Sequence, residues 1–529
     1  VSAPGFLCLV LHAHLPFVRH PEHEVFFEES WFFEAVAETY APIVWMLEDL
    51  EREGRRARLT MSLTPPLLHM LEDPLLQKRL RAYLEDRIRL AQKELDRRGN
   101  DREHALAQFY KDRFSRALKT VFEDHGGRFA NAFRGLHERG TLEPITCAAT
   151  HGYLPFMKNQ PGAVRAQLRE GVKTHERVLG FKPRGIWLPE CAYFQGLEQY
   201  LEEAGIEFFF LETHGLVLAD SYPVHDVYAP ISLPNGVLAF ARDPESSKQV
   251  WSAEEGYPGD FVYREFHRDI AWDREDAYIK PHILPDGVRV PTGLKYHRVT
   301  GRDVKLENKD WYDPAAASAQ ARNHARHFVD GRERQVARLA TRMSQPPVIT
   351  APFDAELFGH WWFEGPEFLG HVLRELSDRK GGLQAATAAE ICDRGEPLQV
   401  TTPSASSWGD GGYYEVWLNG GNDYLYRHYE EMQRRMAVHA SRAASLGSLE
   451  RRALAQAGRE LLLAQASDWA FLMTVGTART FAQNQVKAHI RDFFTCESWV
   501  SGNVDQGKLA EIESRDPVFP DLDVTSWAG

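Results

Sequence analysis

Fourteen residues, Pro352 to Gly365 (PFDAELFGHWWFEG), place three acids, a histidine and two tryptophans where a buried apolar run, Val348 to Ala351, gives way to a helix. Carboxyl groups at the C-terminal end of a parallel strand stand where chemistry happens in an α/β barrel. Asp354 followed by Ala-Glu also fits a helix N-cap, so this stretch alone does not make a site. Two more stretches repeat the pattern of polar groups after an apolar strand: HAHLP, with His12 and His14, and WLPECAY, with Glu190. Three such junctions favour a site over three caps.

If the strand ends share one cleft, it holds His12, His14, His151, Glu190, His214, Arg242 and Asp354. Two chemistries compete for that set. Paired carboxylates can transfer a glycosyl group, one attacking the anomeric carbon while the other protonates the leaving oxygen, and Glu190 with Asp354 are the candidates. A His-x-His pair on the first strand with an acid on the last also describes a metal-dependent amidohydrolase. That reading lacks ligands, because the fourth strand ends in a glutamate where a bridging lysine is expected and the sixth offers Arg242 in place of a histidine. Trp31, Trp251, Trp361, Trp408, Trp417 and Trp469 fall in loop or junction positions and could stack on sugar rings, although core packing claims most aromatic side chains. A non-catalytic glucan-binding protein is a third reading, which leaves the two carboxylates unexplained.

Composition narrows the field. A chain of 529 residues, 43% hydrophobic and 12% aromatic, is long enough for two or three domains with packed cores. Its net charge of −13 argues against a nucleic-acid surface and for an uncharged or weakly charged partner. Five widely spaced cysteines without a CxxC pair indicate neither a disulfide framework nor a zinc knuckle, and a reducing cytoplasm is the simplest location. FLCLVLHAHLPF lacks a basic n-region and a cleavage site and reads as a strand; Val1 implies that an initiator or leader was removed. No apolar stretch reaches the length of a membrane span.

The elements that must position these groups follow in order. Apolar runs at Phe6–Leu11, Arg58–Leu63, Ile145–Ala149, Gly185–Leu188, Phe208–Leu211, Val237–Phe240 and Pro347–Pro352 read as seven strands, each ending in polar residues. Helices between them imply a parallel sheet, and the dispersed polar ends favour a barrel over an open sheet. Residues 67–139, polar and helix-like, read as an insertion on one barrel loop. The aromatic, irregular section from Pro244 to about Asp310 is too long for an idle connection. Beyond Arg394 a turn-rich bridge carries Trp408 and Trp417, and nearly continuous amphipathic helix runs from Tyr424 to Phe494, broken at Ser467-Asp468-Trp469. The expected division is a catalytic barrel over 1–394 and a helical C-terminal domain over 395–529 that contributes to the cleft.

HAHLP, ATHGY, WLPECAY, APFDAELFGHWWFEG and ASDWAFLM resemble, in order and context, the five signature regions of glycoside hydrolase family 57. The resemblance covers nearly the whole chain and is strongest to the subgroup of 1,4-α-glucan branching enzymes. It implies an α/β fold, a seven-stranded (β/α) barrel with a helical insertion and an all-helical C-terminal domain. It also implies that Glu190 is the nucleophile and Asp354 the general acid/base, with no cofactor or metal. By the same resemblance His12, His14 and His151 are subsite residues. Arg242 and Trp251, in ARDPESSKQVWSA, line the glucan cleft together with Trp408, Trp417, Asp468 and Trp469. The implied partner is an α-glucan such as amylose or glycogen-like chains. Branching members carry a long loop with a tyrosine over the cleft, whereas Ser221–Gly236 here is short and rich in proline. Tyr228 is the available substitute, and an amylase-like hydrolase of the same family is the close alternative.

Overall fold

A computed structural model describes residues 5–252, 255–379 and 382–528. Val1 and Ala253, the last residue of ARDPESSKQVWSA, lie outside them.

The core begins with β1 (Gly5–Ala13), whose nine residues are all buried. An uninterrupted apolar run such as FLCLVL suits a parallel strand covered on both faces. The remaining strands are β2 (Leu59–Leu63), β3 (Leu142–Cys147), β4 (Gly185–Trp187), β5 (Phe208–Leu211), β6 (Ile231–Ser232), β7 (Leu238–Ala241), β8 (Val348–Asp354) and β9 (Leu383–Ala385). All seven expected strands form. Two short ones, β6 and β9, add to them: β6 returns antiparallel onto β7, and β9 pairs with the start of β1.

The strand order is β6-β7-β5-β4-β3-β2-β1-β8. The parallel sheet therefore curls into a barrel whose ladder is open between β7 and β8. One backbone bond bridges that seam, from the Asp243 amide to the Thr350 carbonyl at 2.8 Å. The β1–β8 register sets His12 beside Asp354. Because side chains alternate across a strand, this pairing brings the first histidine and the last acid to one end of the barrel.

Residues 65–138 are four helices, Pro65–Glu72, Pro74–Asp96, Asp101–Lys119 and Ala130–Glu138, as the insertion required. The C-terminal helices are Tyr424–Ala440, Ser448–Ala464, Ser467–Val475 and Arg479–Ser498; the break falls at 465–466, just before the expected interruption, and Ser467-Asp468-Trp469 opens the third of them. The C-terminal part docks on the barrel through main-chain contacts: the Ser467 amide, opening the third helix, donates to the His151 carbonyl at 3.0 Å, and the Trp408 amide, in the bridge before the helices, donates to the Glu190 carbonyl at 2.9 Å. Among the described residues no helix is long and apolar enough to cross a membrane.

After β8 the chain turns at Gly359, whose φ is +121° and whose missing Cβ would lie 1.9 Å from the Glu38 carbonyl oxygen. Both the dihedral and the space demand glycine. Gly359→Ala is expected to cost about 3 kcal/mol or more, read as a lowered denaturation midpoint. An unchanged midpoint would show that the turn yields.

Candidate active site

Glu190 occupies the turn after β4 with φ +60° and ψ 25°, the left-handed region that disfavours a side chain. Its neighbour Cys191 has φ +50°, and His151, after β3, has φ +57°. Consecutive strained residues at strand ends accompany sites where geometry is imposed by function, at about 1–3 kcal/mol each. The Glu190 carboxylate receives two hydrogen bonds, from Trp408 Nε1 to Oε2 at 2.6 Å and from Ser467 Oγ to Oε1 at 2.7 Å. Burial pushes its pKa up to about 7, against those two bonds, which favour the anion.

Asp354 closes β8. As the residue preceding a short helical turn it makes no side-chain capping bond, so the N-cap reading fails. Burial, then the charge of Glu356, pushes its pKa up to about 7. Glu356 is itself pushed up to about 7 by burial; it accepts hydrogen bonds from the Tyr40 hydroxyl and, at 3.2 Å, from the His14 amide.

The three histidines form one stack. His14 and His151 lie face to face at 3.8 Å, and His12 stacks on Trp187 at 4.8 Å. His12 Nε2 meets His151 Nε2 at 3.0 Å and its Nδ1 meets Ser62 Oγ at 3.2 Å. His151 Nδ1 contacts Ser467 Oγ at 2.8 Å; His14 uses Nδ1 on Thr64 Oγ1 at 3.0 Å and Nε2 on Asp468 at 3.1 Å. Burial holds His12 and His151 well below the usual range, reinforced by His14. In His14 burial acts the same way, but the Asp468 charge and hydrogen bond prevail and raise it. His14 is thus the one of the three whose protonated form its surroundings favour.

His14, His151 and Asp468 have ligand atoms within 4.8 Å of one another, as do Glu460, His489 and Asp516 in the C-terminal helices, and either trio could gather on a cation. In the first, every ring nitrogen already has a protein partner, which describes a hydrogen-bond network.

Arg242 places its guanidinium 5.2 Å from the Trp408 ring and bonds Glu212 at 3.2 Å. Nε and Nη2 are buried without a partner among the described residues. The cleft thus combines a carboxylate on two donors, a protonatable acid pair, one imidazole whose protonated form Asp468 favours and an arginine with spare donors. Such a set can move a glycosyl group through a covalent intermediate.

Residues 8–314 match glycosyl hydrolase family 57, and residues 428–527 match the C-terminal region of 1,4-α-glucan branching enzymes. The chain belongs to family 57. A 1,4-α-glucan branching enzyme of Thermococcus kodakarensis is 35% identical over 97% of this chain and 77% of its own length. The α-amylase AmyC of Thermotoga maritima superimposes with a TM-score of 0.94 at 44% identity, covering 99% of each chain. The family 57 branching enzyme of Pyrococcus horikoshii gives 0.88 at 32% identity, covering 99% of this chain and 97% of the other.

Within this family 57 cleft, His12, His14, His151, Glu190, Arg242, Asp354, Trp408 and Asp468 come together. Three expected wall residues do not. Trp417 and Trp469 are each 1% exposed, Trp417 stacked on Tyr153 and Trp469 donating to the Leu463 carbonyl, so they back the wall and offer no free ring face. Trp251 ends the helix Pro244–Trp251, 40% exposed, with no described contact to the carboxylate cluster. Tyr228 does not cover the cleft: its carbonyl accepts from Val348 at the opposite end of β8 and its hydroxyl lies 3.5 Å from Gln335. Ser467, Tyr40 and the role of Glu356 escaped sequence reading; Ser467 sits inside ASDWAFLM, but only the fold carries its hydroxyl to Glu190.

Glu356→Gln removes the negative charge that raises the Asp354 pKa. Asp354 must be protonated to act as an acid, so the alkaline limb of the kcat/KM profile is expected to move to lower pH. A limb that stays in place would separate Glu356 from Asp354.

Proposed function

We propose that this family 57 member is a retaining 1,4-α-glucan branching enzyme with Glu190 as nucleophile and Asp354 as acid/base. Glu190 attacks the anomeric carbon while Asp354 gives its proton to the departing glycosidic oxygen, leaving a glucosyl ester on Glu190. Asp354, now a carboxylate, takes the proton of the incoming hydroxyl as that oxygen displaces Glu190 with retained configuration. A sugar 6-hydroxyl gives an α-1,6 branch; water gives hydrolysis.

The observation that carries the reading is the Ser467 hydroxyl on Glu190, joined by Asp468 on His14. Both residues lie in the stretch that matches the branching-enzyme C-terminal region, so that region completes the reaction centre. Residues 1–394 and 395–529 are read accordingly as barrel and completing domain, and five free cysteines accord with a cytoplasmic setting.

One observation favours an α-amylase. Ser221–Gly236 is tied back along 399–402, through Ser221 to Thr401 and Ser232 to the Gln399 carbonyl, and places no tyrosine over Glu190. Water exclusion then rests on the aromatic walls alone.

The test is proton NMR of amylose incubated with pure enzyme. Branching predicts growth of the α-1,6 anomeric signal without a matching rise in reducing ends; loss of α-1,4 signal into reducing ends alone identifies the amylase. Glu190→Gln and Asp354→Asn are each expected to lower either activity about a thousandfold or more while folding normally. Retained activity in either would remove the two-carboxylate mechanism.

A further inference from the structure

Beyond Glu356 the rim carries a second polar cluster that the reaction does not use. Trp361, whose amide bonds the Glu356 carbonyl at 3.1 Å, is 58% exposed. Its indole is stacked on Phe266 at 4.7 Å and 27°, and His360 meets both rings edge-on, at 5.1 and 5.5 Å. His360 is anchored through Nδ1 to Glu38 at 3.0 Å, and Glu38 is held from its other side by Arg264 at 3.1 Å. Those groups satisfy one another.

Two neighbours are left over. Glu34, just over one helical turn before Glu38, has a largely buried carboxylate that lies 3.9 Å from His360 Nδ1 and has no hydrogen-bond donor among the described residues. Lys295 is 4% exposed, with its ammonium 4.1 Å from the Phe266 centroid and no hydrogen-bond acceptor among the described residues. Neither the Glu34 oxygens nor Lys295 Nζ is sealed from solvent, so a ligand hydroxyl can reach an acceptor on one and a donor on the other. Burial pushes the Glu34 pKa up to about 7 and lowers that of Lys295.

We propose that Glu34, Lys295 and the Phe266–Trp361 stack form an additional subsite for one glucosyl residue of an α-glucan, outside the reaction centre. Vicinal sugar hydroxyls can donate to the carboxylate and accept from the ammonium together, while the apolar face of the ring lies on the exposed indole. The inference rests on the α-glucan reading of the cleft and adds to it a preference for chains long enough to reach Trp361.

The test is calorimetric titration of maltotriose and maltoheptaose into the Glu190→Gln protein, where binding is read without turnover. Adding Trp361→Ala, Glu34→Gln or Lys295→Met is expected to weaken maltoheptaose about tenfold and to leave maltotriose within about twofold. Trp361 is exposed, so its truncation tests the platform even if Lys295→Met fails to fold. Unchanged maltoheptaose affinity with Trp361→Ala and Glu34→Gln, or equal weakening of both sugars, overturns the subsite. If Glu190→Gln binds neither sugar, the α-glucan reading itself falls and the subsite with it; binding with no dependence on the three side chains removes the subsite alone.

Discussion

The constraint on which the site depends is the left-handed turn at Glu190, held by two donors from distant parts of the chain. Trp408 and Ser467 each give a hydrogen bond to one carboxylate oxygen, and neither belongs to the barrel strands. The barrel alone delivers a strained, desolvated acid; the bridge and the C-terminal helices orient it and favour its ionised form. Charge-assisted bonds of this kind are stronger than neutral ones, and losing either leaves one buried carboxylate oxygen without its donor. This explains why residues nearly three hundred positions apart act as one centre.

Glu190, Asp354 and Glu356 all have pKa values pushed up to about 7, chiefly by burial, within reach of one raised and two lowered histidines. Donors to Glu190 favour its ionised form, while the Glu356 charge favours a proton on Asp354. On the proposed assignment, those opposite biases separate two like carboxyl groups into nucleophile and acid, as a double displacement requires.

Much of this was legible in the sequence for identifiable reasons. The strands were readable because parallel strands buried on both faces are written as unbroken apolar runs, and β1 is the clearest. Junction residues such as His12, Glu190 and Asp354 were readable because polar groups directly after such runs have few structural excuses. Short β6 and β9 carry too few residues for a periodic signal. Burial of Trp417 and Trp469 was invisible because a tryptophan in a turn-rich stretch looks the same whether it faces a cleft or supports its wall. Ser467 and Tyr40 depend on contacts across the fold, which local pattern does not encode. Tyr228 looked available by position along the chain, yet the short proline-rich segment folds back against the start of β8.

The central claim is that Glu190 carries the glucosyl group. It is tested most directly by incubating Asp354→Asn, whose second step lacks its base, with α-maltotriosyl fluoride, whose leaving group needs no proton. Peptide mass spectrometry after acid quench should then find a maltotriosyl adduct on the peptide containing Glu190, absent in the Glu190→Gln, Asp354→Asn double variant. An adduct on another residue, or one that persists in the double variant, would contradict the account.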